Sequence, residues 1–98
     1  MDVVMPAEPL FTPIALVAID DSRNIRRRYE IHVSLDLFGV YVVDTRWGRI
    51  GGHTQKKRHS FADENGARRH VAATLSRRSS ATRRIGTAYR RVAVSPLG

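Results

Sequence analysis

Between Tyr29 and Asp36 the chain alternates without interruption. Tyr29, Ile31, Val33 and Leu35 fall on one side, and Glu30, His32, Ser34 and Asp36 on the other. A repeat of two is the signature of a strand with one dry face and one wet face. The stretch commits the chain to a sheet covered on one side, so the neighbouring segments must supply either further strands or the cover.

They do both. Leu37-Phe38-Gly39 reads as a hairpin connection, with Gly39 at the strained position. Val40 to Arg46 follows as a second strand rich in valine and tyrosine; its apolar residues occur on both faces, which places it centrally. Upstream, Ile14 to Ile19 is a short apolar run whose length favours a buried strand, and it stops at Asp20-Asp21-Ser22. Asp20 to Arg28 reads as a polar loop with a basic end. Gly51-Gly52 marks a turn. Thr54 to Phe61 is almost free of apolar residues until Phe61, as an edge strand would be, and its charges discourage unwanted pairing.

The cover is Asp63 to Arg78. Asp63 suits the cap, Glu64 suits the positive end of the dipole, and Arg77 and Arg78 suit its negative end. Ala67, Val71, Thr74 and Leu75 form a narrow apolar stripe. Gly66 weakens the first turn by about 1 kcal/mol relative to alanine. Ser79 to Arg84 is a basic loop, and Tyr89 to Val94 has strand character before Pro96. The expected fold is α+β, a single antiparallel sheet of about five strands with one helix packed on one face. Pro6, Pro9 and Pro13 resist both helix and central strand. Residues 1–13 are therefore expected to be an extended or mobile lead-in, 14–94 the domain, and 95–98 a tail.

Charge narrows the function. The chain has 98 residues, a net charge of +8 and a pI near 11.3, and arginine supplies 15 of its 17 basic residues. Guanidinium groups pair bidentately with phosphate, so a nucleic-acid partner is expected. The bland alternative is a protein kept soluble by its charge. Without cysteine there are no disulfides and no thiolate metal sites. That absence, the lack of a membrane-length apolar run and the lack of signal-peptide features at the amino terminus make a cytoplasmic protein the expectation.

One stretch concentrates the binding chemistry, Arg46-Trp47-Gly48-Arg49-Ile50-Gly51. It holds the only tryptophan, flanked by two arginines and followed by glycines that permit close backbone approach. Trp47 reads equally as a stacking platform or as core, and Arg49 as a phosphate clamp or as the partner of Asp44 or Glu30. Arg26-Arg27-Arg28 repel one another, and an anionic partner accounts for them better than a solvated loop. Lys56, Lys57 and Arg58 serve equally as edge protection. His32, His53, His59 and His70 lack the spacing of a metal set. No nucleophile triad, carboxylate pair or P-loop stands out, so neither an enzyme nor a cofactor is expected.

The ordered residues resemble the WGR domain over about residues 14–92. They are Asn24 ahead of Tyr29, Leu37-Phe38-Gly39, Arg46 to Gly51, Gln55, Phe61, an alanine-bearing helix and a late basic segment ending at Tyr89. That domain occurs beside the catalytic region of DNA-dependent poly(ADP-ribose) polymerases and in small stand-alone bacterial proteins. The resemblance implies a compact antiparallel sheet with one helix that meets DNA at ends or nicks. By position it makes Trp47 the platform for a strand-end sugar and Arg49 the clamp for a 5′ phosphate or a bridge to a neighbouring domain. Asn24, Arg26, Arg27 and Arg28 would flank them, with Arg46 and Lys56 nearby and Tyr89 reaching the same site. Stand-alone members often have glycine directly before the late tyrosine, whereas Thr87-Ala88 separates Gly86 from Tyr89 here. A protein-interaction adaptor using the same surface and an RNA-binding protein are the competing readings, and any NAD chemistry would belong to another protein.

Overall fold

The computed structural model describes residues 10–80 and 86–93. Most of the expected lead-in, the tail and residues 81–85 of the basic loop lie outside them. The described chain runs β1 (Ile14–Asp20), a single 3-10 turn (Asp21–Arg23), β2 (Ile25–Leu35), β3 (Tyr41–Arg49), β4 (Thr54–Phe61), α1 (Glu64–Ser79) and β5 (Arg90–Val92). The five strands form one sheet in the order β4-β3-β2-β1-β5, and every pairing is antiparallel. The expected fold class holds, and β4 is an edge.

β2 carries the core because it is paired on both sides. Tyr29 lies opposite Leu16 on β1 and Trp47 on β3; Ile31 lies opposite Ile14 and Thr45. Directly opposed residues share a face, so these groups make one apolar layer. Ile14, Leu16, Tyr29, Ile31, Val33 and Val43 are buried there, and Ala67 and Val71 of α1 close over them. The helix rests on β3 and β4. Its stripe is the one read from the sequence: Ala67, Val71 and Thr74 are buried and Leu75 is half-buried. The Asp63 carboxylate accepts the Gly66 N–H at 2.7 Å and satisfies one of the unpaired donors of the first turn.

The hairpin after β2 is built by Asp36. Its carboxylate accepts the N–H groups of Phe38 at 2.8 Å and Val40 at 2.9 Å, and Gly39 takes φ 79°. Only the left-handed region closes this turn, which is why glycine stands there.

Two boundaries differ from expectation, for a shared reason. The loop expected over Asp20 to Arg28 ends at Asn24, and Ile25 to Arg28 belong to β2. Asp20 accepts both the N–H and the hydroxyl of Ser22, and Asn24 turns the chain at φ 57°, ψ 39°. Asparagine tolerates that conformation better than most residues, so the reversal is complete within a few positions. Likewise the Trp-Gly-Arg motif lies within β3 rather than beyond it. In both places arginines pair through their backbones while their side chains carry no apolar alternation: Arg27 lies opposite Arg49, and Arg28 opposite Gly48.

Ile31 is 1% exposed at the centre of this layer. Ile31→Ala is expected to destabilise the fold by about 2–5 kcal/mol. Asp63→Ala, which removes one cap, is expected to cost about 1 kcal/mol. Urea unfolding midpoints of the two variants would check both the order and the size of the effects.

Candidate functional site

Strand alternation divides the motif between the two faces of the sheet. Trp47 shares the helix-covered face with Tyr29 and Thr45, whereas Arg46 and Gly48 stand on the uncovered face with Glu30, Arg28 and Lys56. Trp47 is half-buried at the margin of the core, and Tyr29 backs it, their ring centroids 5.9 Å apart and inclined by 20°. The indole is therefore both a core residue and a wall. Its outer side borders an open groove of about 230 Å³ formed with Arg28, Glu30, Arg46 and Arg49, and floored by the Ile50–Gly52 turn.

The two ends of the motif are held by different means. The Arg49 guanidinium donates to the Asn24 carbonyl at 3.0 Å and to Asn24 Oδ1 at 2.7 Å. Both acceptors are neutral, so the group is oriented without losing its charge. This replaces the alternative of an ion pair to Asp44 or Glu30. Asp44 is occupied by Arg58 at 2.7 Å, and Glu30 by Arg28 at 2.5 Å. Gly48 is fixed by sterics, since a Cβ there would run into the His53 carbonyl oxygen across the β3–β4 pair. Ile50 N–H donates to the Arg26 carbonyl at 2.9 Å, tying the turn to β2.

Arg28, Arg46, Trp47 and Arg49 thus meet at one groove, and Asn24 stands behind Arg49. Arg26 turns to Asp21 at 2.8 Å. Arg27 is exposed at the strand end opposite Arg49, and Lys56 is exposed on β4 opposite Arg46. Tyr89 packs on the margin of the core beside Arg78, whose guanidinium carbon is 5.9 Å from its ring. It does not line the groove.

Sequence reasoning missed two features. One is the Glu30 network on the uncovered face, where Arg28 and His32 both bond the carboxylate. Burial is the largest single influence on Glu30 and opposes its ionisation. The hydrogen bonds and charges of Arg28 and His32 together outweigh it and hold the carboxyl below the usual range. The other is Arg78, which sits 4.8 Å above the Tyr29 ring. Its place at a helix end had explained it without any partner. Only the alternation at Glu30, Arg28 and His32 could have revealed the first feature; nothing in the sequence pointed to the second.

An arginine-lined groove with an aromatic wall, on a small sheet backed by one helix, defines a binding module. Among the described residues no cluster of three or more metal-ligating side chains occurs, and no helix is long and apolar enough to cross a membrane. The WGR domain model matches residues 12–83, and the chain belongs to that family. It is also similar to a protein of Sinorhizobium fredii known as uncharacterized protein y4dW, with 39% identity over 49 residues. The match spans 50% of this chain but 24% of that relative, so about three quarters of the relative's length has no counterpart in the matched segment.

Gly48→Ala is expected to destabilise the protein by about 1–3 kcal/mol, because the obstructing atom is backbone and cannot swing aside. Chemical denaturation would measure it. The lowered Glu30 pKa stabilises the fold fully above the unfolded-state value of about 4.3, and that stabilisation is lost as pH falls through the lower folded value. The parent should therefore lose stability more steeply than Glu30→Gln over the acid range, as read from urea midpoints at successive pH values.

Proposed function

We propose that the chain binds DNA at ends or nicks through the groove beside Trp47. The observation that carries this reading is the state of the groove's cations. Arg46 is exposed and makes no ion pair or hydrogen bond among the described residues. Arg49 is oriented by neutral acceptors, so its charge is still available. Of the groove's cations, Arg28 alone is matched by a carboxylate among the described residues. The family is one commonly linked to nucleic-acid binding, which agrees with the charge of the chain.

In this reading Arg49 and Arg46 neutralise phosphates and release their counterions, which supplies most of the affinity. Trp47, supported by Tyr29, offers its outer side to a sugar or terminal base, a contact of about 1–3 kcal/mol if it resembles base–aromatic stacking. Asn24 acts through Arg49, presetting the guanidinium and lowering the cost of ordering it on binding. Arg26, Arg27 and Lys56 lie outside the groove and add a more diffuse field. In this reading the chain acts as a binding module, the role its family suggests.

Fluorescence anisotropy on blunt, single-stranded and 5′-phosphorylated nicked duplexes across a salt series tests this. Arg46→Ala should weaken binding to all duplexes and reduce the salt slope by about one. Arg49→Ala should weaken end and interior binding alike. Trp47→Ala should weaken nick binding more than binding to duplex interior. Equal affinity of parent and all three variants for the nicked duplex would refute the proposal.

A further inference from the structure

A second concavity lies on the other face of the sheet, between α1 and the β3–β4 pair, with a volume of about 340 Å³. Its charged and titratable groups are Lys57 and His59 from β4 and His70, Arg77 and Arg78 from α1. β3 contributes the indole of Trp47 and β2 the ring of Tyr29. Among the described residues no carboxylate lines it. The nearest acidic groups of the sheet, Glu30 and Asp44, stand on the opposite face and are paired to Arg28 and Arg58. Like charges gathered in a half-enclosed space repel one another, and a helix packed on the sheet keeps them there.

Two polar atoms of the side chains that line this cavity lack partners, while Arg77 donates to Thr74 Oγ1 at 3.3 Å and Thr74 in turn donates to the His70 carbonyl at 2.9 Å. His59 Nδ1 and Arg78 Nε are buried and have no hydrogen-bond partner among the described residues. The two imidazoles face each other with centroids 4.4 Å apart. A divalent cation between them would meet one ammonium and two guanidinium groups, which argues against a metal. An anion would meet donors on every side.

We propose that this cavity binds a compact phosphate group, free or as a monoester, separately from the groove beside Trp47. A phosphate anion neutralises the repulsion between the cations of the helix and Lys57 of β4. Binding is coupled to protonation of His70. Without ligand, burial first, and then the charges of His59, Arg77 and Lys57, keep His70 below the ordinary histidine range. Phosphate reverses the sign of that local field, so proton uptake by His70 strengthens binding of the monoanion and the dianion alike.

The test is NMR of the histidine ring resonances of the full chain, with inorganic phosphate added at constant ionic strength against chloride. The expected result is a saturable shift of His59 and His70 but not of His32 or His53. The His70 titration midpoint should rise by about one pH unit, equivalent to about tenfold tighter binding to the protonated form. His70→Gln should weaken binding, and Lys57→Gln, an exposed change that leaves the core intact, should weaken it several-fold. Arg46→Ala, on the other face, should leave it in place. Ribose 5-phosphate binding more tightly than phosphate would identify a monoester as the natural occupant, and equal binding would identify the free ion. Non-saturable shifts of all four histidines, or a saturable response unchanged in both Lys57→Gln and His70→Gln, would overturn the proposal, as would its loss in Arg46→Ala.

Discussion

Tyr29 and Trp47 lie opposite one another on neighbouring strands, and their stacking joins the core to the surface. Tyr29 is buried among Leu16, Ile31 and the residues of α1, whereas Trp47 is half-buried. The inner ring is held by packing and the outer ring is held by the inner one. A large aromatic surface can therefore stand at a groove without being free to collapse into it. Arg78 seated over Tyr29 adds a cation to the same stack from the helix side. Backbone pairing, helix placement and the position of the indole are consequently one problem with one solution.

The uncovered face follows from the same register. With Trp47 directed to the helix side, alternation sends Arg46 and Gly48 the other way, into line with Glu30, Arg28 and Thr54. Gly48 then lets the β4 backbone approach closely, and the turn at Ile50–Gly52 brings Arg49 round to Asn24. The positive-φ turn at Asn24 is thus more than a connection: it aims the carbonyl and side-chain oxygen of one residue at one guanidinium.

Much of this fold is legible in the residues. The unbroken alternation of Tyr29 to Asp36 identifies the strand that proves to be central. The Asp63 cap and the Ala67, Val71 and Thr74 stripe identify the helix and its buried side. The limits of β2 and β3 are harder to read because their ends are arginines. A strand reveals itself through side chains that differ between faces, and Arg26-Arg27-Arg28 do not differ. The groove was legible as a motif but not as a geometry. Trp47, Arg46 and Arg49 are adjacent in sequence, yet only the pleat tells which of them share a face. The ties that set Arg49 and Glu30 are pairings between strands, and short-range patterns carry no record of them.

The single tryptophan borders both concavities, one on each side of the sheet. Indole emission responds to nearby charge and to exclusion of water, so this residue is a built-in optical sensor. A ligand entering from either face alters the surroundings of the same ring. Occupancy at one face can thus be followed, in the unlabelled chain, while the other face is varied.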